Sequence, residues 1–169
     1  LRRCLHDLNR RLGQELTVTA DRPDPVIGST VVALLMEADR AACVWAGDSR
    51  CYLWRRGRLY QLSRDHSLLQ QLIDEKSLSP QEAARHPAAN ALTRAIGASE
   101  QLTLDILEFD VYPGDTLLLC SDGLYQSLSP DSLGAALNSP STGLALQRLF
   151  EEAMDGPCRD NLSAVVIRL

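Results

Sequence analysis

Nowhere in the chain does an unbroken apolar run approach the roughly 20 residues of a membrane-spanning helix, so no span is expected. The start has neither an initiator Met nor the continuous apolar stretch of a signal peptide. It opens directly on "LRRCLHDLNRRL", which reads as an amphipathic helix with Leu1, Leu5, Leu8 and Leu12 on one face. That opening suggests a fragment, a processed product or a trimmed piece. Positive charge is in short supply: 17 Lys and Arg against 22 Asp and Glu leave a net −5, which argues against nucleic acid as the main partner. The five cysteines are odd in number and contain no C-x-x-C pair, so neither a disulfide framework nor a zinc site is expected. They read as the reduced cysteines of a cytoplasmic protein. No H-x3-H pair, internal repeat or low-complexity tract is present.

These exclusions leave one globular domain, residues 1–169, whose 45% hydrophobic share can fill a core. After the first helix, "TADRPDPVIG" carries two prolines and reads as a connection. The runs "STVVALLMEA" and "AACVWAG" predict a hairpin, and "CYLWRRGRLYQL" predicts a second one turning at Arg56-Gly57. At about 65–90 a helical insertion interrupts the strands, with "SPQEAARHP" offering Ser79 as N-cap, Pro80 at the first helical position and Glu82 at the box position. Strands resume in "LTLDILEFDV" and "DTLLLCS", joined by the turn "YPGD". Two helices follow, "SPDSLGAAL" and "STGLALQRLFEEAMDG", and then the last strand, "NLSAVVIRL". Hairpin-linked strands with grouped helices predict an α+β layered fold with antiparallel sheets.

Three acids flank the strong strand runs: Asp48 in "WAGDSR", Asp122 in "CSDGL" and Asp160 in "RDNLS". A buried carboxylate is costly unless a cation, several donors or a metal compensates it. Hard cations such as Mg²⁺ and Mn²⁺ take carboxylate oxygens and keep several waters, and the small neighbours Gly47, Ser49, Ser121 and Gly123 leave room for both. Any one such acid also suits a turn or a cap. Of the other polar residues, His6 reads as surface, His66 and His86 as local hydrogen-bonding groups, Asp115 as a turn residue and Arg94 as an ion-pair or packing residue.

The series "GSTVVALL", "WAGDSRCYLWRRGRLYQLSRDHS", "LTRAIG", "PGDTLLLCSDGLYQSL" and "DNLSAVVI" resembles the PPM family, the type 2C metal-dependent Ser/Thr protein phosphatases. The bacterial branch is the nearer likeness, through "SRDHSLLQQLIDEKSLSPQEAARHP" before "LTRAIG". The resemblance implies a four-layer αββα sandwich of two antiparallel sheets flanked by helices, with residues 65–90 as a flap. It implies that Asp122 and Asp160 are metal ligands and that Asp48 serves a third metal. It further implies two Mn²⁺ or Mg²⁺ ions that activate a shared water for in-line attack on phosphorus, with no catalytic protein nucleophile. A phosphorylated protein, a Ser/Thr kinase or its target would be the partner.

The family's R-x-x-N-E-D and D-G-x-G-G-H motifs do not occur in these residues. The expectation is therefore an N-terminally incomplete phosphatase domain, lacking strands and inactive alone. The alternative is a catalytically incomplete phosphatase-like module with a binding or regulatory role. A two-metal nuclease is disfavoured by the acidic charge.

Overall fold

The computed structural model describes residues 1–15, 28–75, 78–156, 158 and 160–169. The connection read at "TADRPDPVIG" lies, but for Gly28, outside them. Strands β1 (Val31–Glu37) and β2 (Arg40–Ala46) form the first expected hairpin, turning through Ala38 at φ 53°. Strands β3 (Arg50–Arg55) and β4 (Arg58–Gln61) form the second. Its two turn residues, Arg56 and Gly57, both have positive φ (50° and 75°), the backbone whose twist suits a two-residue hairpin.

Strands β5 (Asp105–Asp110), β6 (Thr116–Cys120) and β7 (Ala164–Arg168) complete two antiparallel sheets. One has the order β1-β2-β5 and the other β4-β3-β6-β7. Strands adjacent in sequence thus part company twice, since β2 and β3 lie in different sheets, as do β5 and β6. The first crossing is the segment Gly47-Asp48-Ser49. Central strand β6 carries the fully buried Leu117 and Leu118, matching its continuous apolar run.

The helices are α1 (Arg2–Glu15), α2 (Leu68–Asp74), α3 (Pro80–Ala84), α4 (Asp122–Ser127), α5 (Pro130–Leu137) and α6 (Thr142–Asp155). Ser79 and Glu82 form the predicted capping box at α3, and Ser129 and Ser141 cap α5 and α6 through bonds to Ser132 and Leu144. Two compact units interleave along the chain: Leu1–Val31, Trp45–Asp48 and Asp65–Asp105 make the first, and Val32–Val44, Ser49–Arg64 and Ile106–Leu169 the second. In the second, α5 and α6 pack Leu133, Leu137, Leu149 and Ala153 against Tyr52 and Leu118 of the four-stranded sheet.

In the first unit α1 buries Leu5 beside Ala46, Ile96 and Leu102, with Leu12 at the margin. The expected Leu1-Leu5-Leu8-Leu12 face is only half right, because Leu1 and Leu8 are exposed and Asn9 is buried instead. Asn9 Nδ2 donates to Ser99 O at 2.9 Å, and its Oδ1 accepts from the Gly97 N–H at 2.7 Å. A fully bonded amide thus occupies the stripe that periodicity assigned to leucine.

Candidate metal centre

Asp122 was expected at the end of a strand, yet β6 stops at Cys120 and Asp122 is the first residue of α4. That short helix escaped the sequence reading because its apolar period is too brief to show. Ser121 stands at the junction and locks it to the loop before β7. Its N–H donates to Ser163 O at 3.0 Å, and its hydroxyl accepts from the Ser163 N–H at 3.1 Å and donates to Asn161 O at 3.2 Å. The next contact explains the glycine in "SDG". A Cβ on Gly123 would stand 2.5 Å from Asn161 O and 3.3 Å from Asp160 Cβ, so any side chain there would force the two loops apart.

The structure therefore brings Asp122 and Asp160 onto abutting backbones. Asp122 is half-buried; its Oδ1 accepts from the Gly123 N–H at 2.9 Å and its Oδ2 from Gln126 at 3.3 Å. Asp160 is exposed, and its Oδ1 accepts from the Asn161 N–H at 2.7 Å. Helix α4 is tied down on its other side. The Arg50 guanidinium of β3 lies 3.6 Å from the centre of the Tyr125 ring and donates to Tyr52 Oη at 2.9 Å.

Asp48 belongs to the first compact unit, whereas Asp122 and Asp160 belong to the second. Asp48 is half-buried on the crossing between the sheets and directly follows Gly47, whose φ of +113° is a glycine conformation. Among the described residues no group of three or more His, Cys, Asp or Glu side chains stands ready for a metal. The abutting pair still has the right chemistry. Two carboxylates beside small residues fit a hard divalent cation as two members of a larger ligand set.

The model of one family, Protein phosphatase 2C, matches residues 6–162. The chain belongs to the protein phosphatase 2C family. A family relative, the serine/threonine protein phosphatase PstP of Mycobacterium tuberculosis, is 38% identical over 141 residues, 83% of this chain and 27% of that protein. The chain thus spans about a quarter of that relative's length. The solved structure described as PppA, a key regulatory component of T6SS in Pseudomonas aeruginosa, superposes with a TM-score of 0.87 at 38% identity, over 99% of this chain and 68% of that one. The PstP catalytic domain in complex with two manganese ions superposes with a TM-score of 0.80 at 32% identity, over 94% of this chain and 65% of that one. The two antiparallel sheets with their helices are the 2C phosphatase fold.

His66 is a hydrogen-bonding group, as expected, but its partners Gly47 and Asp105 are distant in the sequence rather than local. Its ring is 7% exposed and bonded at both nitrogens, and the only signal of that was its place in "SRDHS" of the family-like series. Arg94 pairs with Asp105 at 2.8 Å, as an ion-pair residue should. Asp115 sits in its predicted turn, but it is buried and bound bidentately by Arg55.

Proposed function

We propose that this chain is part of a metal-dependent protein Ser/Thr phosphatase that hydrolyses phosphoserine and phosphothreonine on proteins. The observation that carries this is the abutment of Asp122 and Asp160 through Gly123, in a chain of the 2C phosphatase family. Asp122 and Asp160 are the residues that would hold Mn²⁺ or Mg²⁺, and Asp48 would serve a separate, third ion. Bound there, such ions supply charge neutralisation at the phosphoryl oxygens and activation of water.

The chain's own residues do the holding. Gly123 and Asn161 donate backbone N–H groups to Oδ1 of each acid and fix its direction, while the Ser121 bonds keep the two backbones together. Exposure of Asp160 opens the site to a phosphoryl group carried on a protein. The partner is a phosphorylated protein, with a Ser/Thr kinase acting in the opposite direction in the cytoplasm. Among the described residues no helix is long and apolar enough to cross a membrane.

The test uses Asp122→Asn and Asp160→Asn in the intact protein, assayed on a phosphothreonine peptide with Mn²⁺ and with chelator. Each should lose more than about 100-fold in turnover, since even residues that only support metal ligands are worth about 10- to 100-fold. Melting temperature should hold or rise, because each change removes a like charge from beside another. Near-normal, chelator-resistant turnover in either variant refutes the assignment.

A further inference from the structure

We propose that His66 is a positioning residue for Asp48, gripping the peptide group of Gly47 so that the carboxylate of the next residue is held in one place. The proposal rests on the reading of Asp48 as a metal ligand.

Gly47 is where the backbone is least constrained by its own chemistry. At φ +113° it has no Cβ to restrict it, and a Cβ there would stand 2.6 Å from Thr30 Cβ, so no other residue can stiffen the position. Stiffness must come from outside, and His66 supplies it from both sides of the residue. Its ring Nδ1 accepts from the Gly47 N–H at 3.1 Å, and its backbone N–H donates to Gly47 O at 3.0 Å.

The ring is itself fixed. It lies nearly parallel to Trp45, with ring centres 6.2 Å apart and planes at 17°. Because Nδ1 accepts, the ring hydrogen is assigned to Nε2, which then donates to Asp105 Oδ2 at 3.1 Å. Asp105 is held in turn by Arg94, whose Nη1 donates to Oδ1 at 2.8 Å. Burial pushes the Asp105 carboxyl up, but the hydrogen bond from His66 and the charge and hydrogen bond of Arg94 outweigh it and hold the group below its ordinary range. A relay of polar contacts therefore runs from Arg94 through Asp105 and the His66 ring to the N–H of Gly47, the residue preceding Asp48. All of these residues lie within the first compact unit.

A histidine that merely filled the core would need shape alone. Here the two ring nitrogens face different partners, and only Nδ1 touches the Asp48 segment. That polarity gives the test. His66→Asn keeps an acceptor near the place of Nδ1 and gives up Asp105. His66→Gln keeps a donor near the place of Nε2 and leaves Gly47 N–H unmatched.

In the ¹⁵N-labelled wild-type protein, a ¹⁵N–¹⁵N coupling should cross the Gly47 N–H to His66 Nδ1 bond. Mn²⁺ titration of the intact protein by calorimetry should show the Asp48-dependent affinity weakened about 10- to 100-fold in His66→Gln and much less in His66→Asn. In an Asp48→Ala background His66→Gln should add nothing, because the two changes act on one ligand. Absence of the coupling, equal losses in the Asn and Gln variants, or additive losses in the double mutant overturns the proposal. A loss in Asp48→Ala with none in His66→Gln overturns it while leaving Asp48 a ligand. Wild-type Mn²⁺ uptake by Asp48→Ala overturns the ligand reading and the proposal together.

Discussion

Asp115 shows how far a single side chain can exceed its sequence signal. It sits in the "YPGD" turn, where its Oδ2 accepts from the Tyr112 N–H at 2.9 Å. It also receives Arg55 Nε at 2.9 Å and Nη2 at 2.6 Å, and Arg55 lies over the Tyr112 ring. Burial alone would push the Asp115 carboxyl up, but the Arg55 guanidinium and the Tyr112 N–H outweigh it and hold the group below its ordinary range. Its folded value is therefore lower than its unfolded one. The stabilisation is present above the ordinary carboxylate range and is lost as pH falls through the folded value. Asp115→Asn should cost about 2–3 kcal/mol at neutral pH, less than a wholly buried pair would lose. The discount reflects the 27% of the Arg55 side chain that stays in water. In urea unfolding, the gap between wild type and Asp115→Asn should close as pH drops toward 3, well into the carboxylate range. A gap that stays constant with pH would show that the pair's charge contributes nothing.

The elements differ sharply in what holds them. Strand β6 is flanked on both sides by ladder partners and buries nearly all of its residues, so its amides should open only with the whole unit. Helix α2 has no buried residue, and α3 has only Ala83. Ser67 and Ser79 cap them, Gln70-Asp74 and Gln71-Glu75 pair along α2, and the N–H groups of Leu68 and Leu69 tie the start of α2 to Ala91 O and Ala89 O. Such bonds are worth a few tenths of a kcal/mol to about 1 kcal/mol each, too little to protect a helix lacking core contact. Native-state hydrogen exchange should therefore find α2 and α3 exchanging at least about 100-fold faster than β6, a gap of roughly 3 kcal/mol in opening energy. Equal protection would mean that the insertion is held by contacts beyond these bonds.

At the scale of the molecule, the five thiols report on cohesion. None of the five is in a disulfide: Cys4 is exposed and Cys158 partly so, whereas Cys43, Cys51 and Cys120 are at most 3% exposed. The hydrogen bond that Cys51 donates to Cys43, and then burial, push the Cys51 thiol far up, so its thiolate is not available in the folded state. A thiol reagent should label Cys4 and Cys158 at once. The other three should react only with global unfolding and lose protection together as urea is added. Labelling of Cys43 or Cys51 at the Cys4 rate in native buffer would show that the interior opens without unfolding.

The Ser79 cap, the turn at Arg56-Gly57 and the continuous run of β6 were legible in the sequence because each depends on residues close together in the chain. Ser79 to Glu82 spans one helical turn, and Arg56-Gly57 needs nothing but its own backbone. Two local elements still went unread or misread. Helix α4 is too short to carry a period, and the buried face of α1 includes Asn9 because distant carbonyls in the 99–100 segment satisfy its amide. What only the tertiary structure decided was which polar groups meet. Gly123 against Asn161, Arg55 with Asp115, and His66 with both Gly47 and Asp105 join residues from 19 to 60 positions apart. Periodicity and composition carry no information on pairs at that separation, because sheet order and loop crossings determine which of them come within hydrogen-bonding distance.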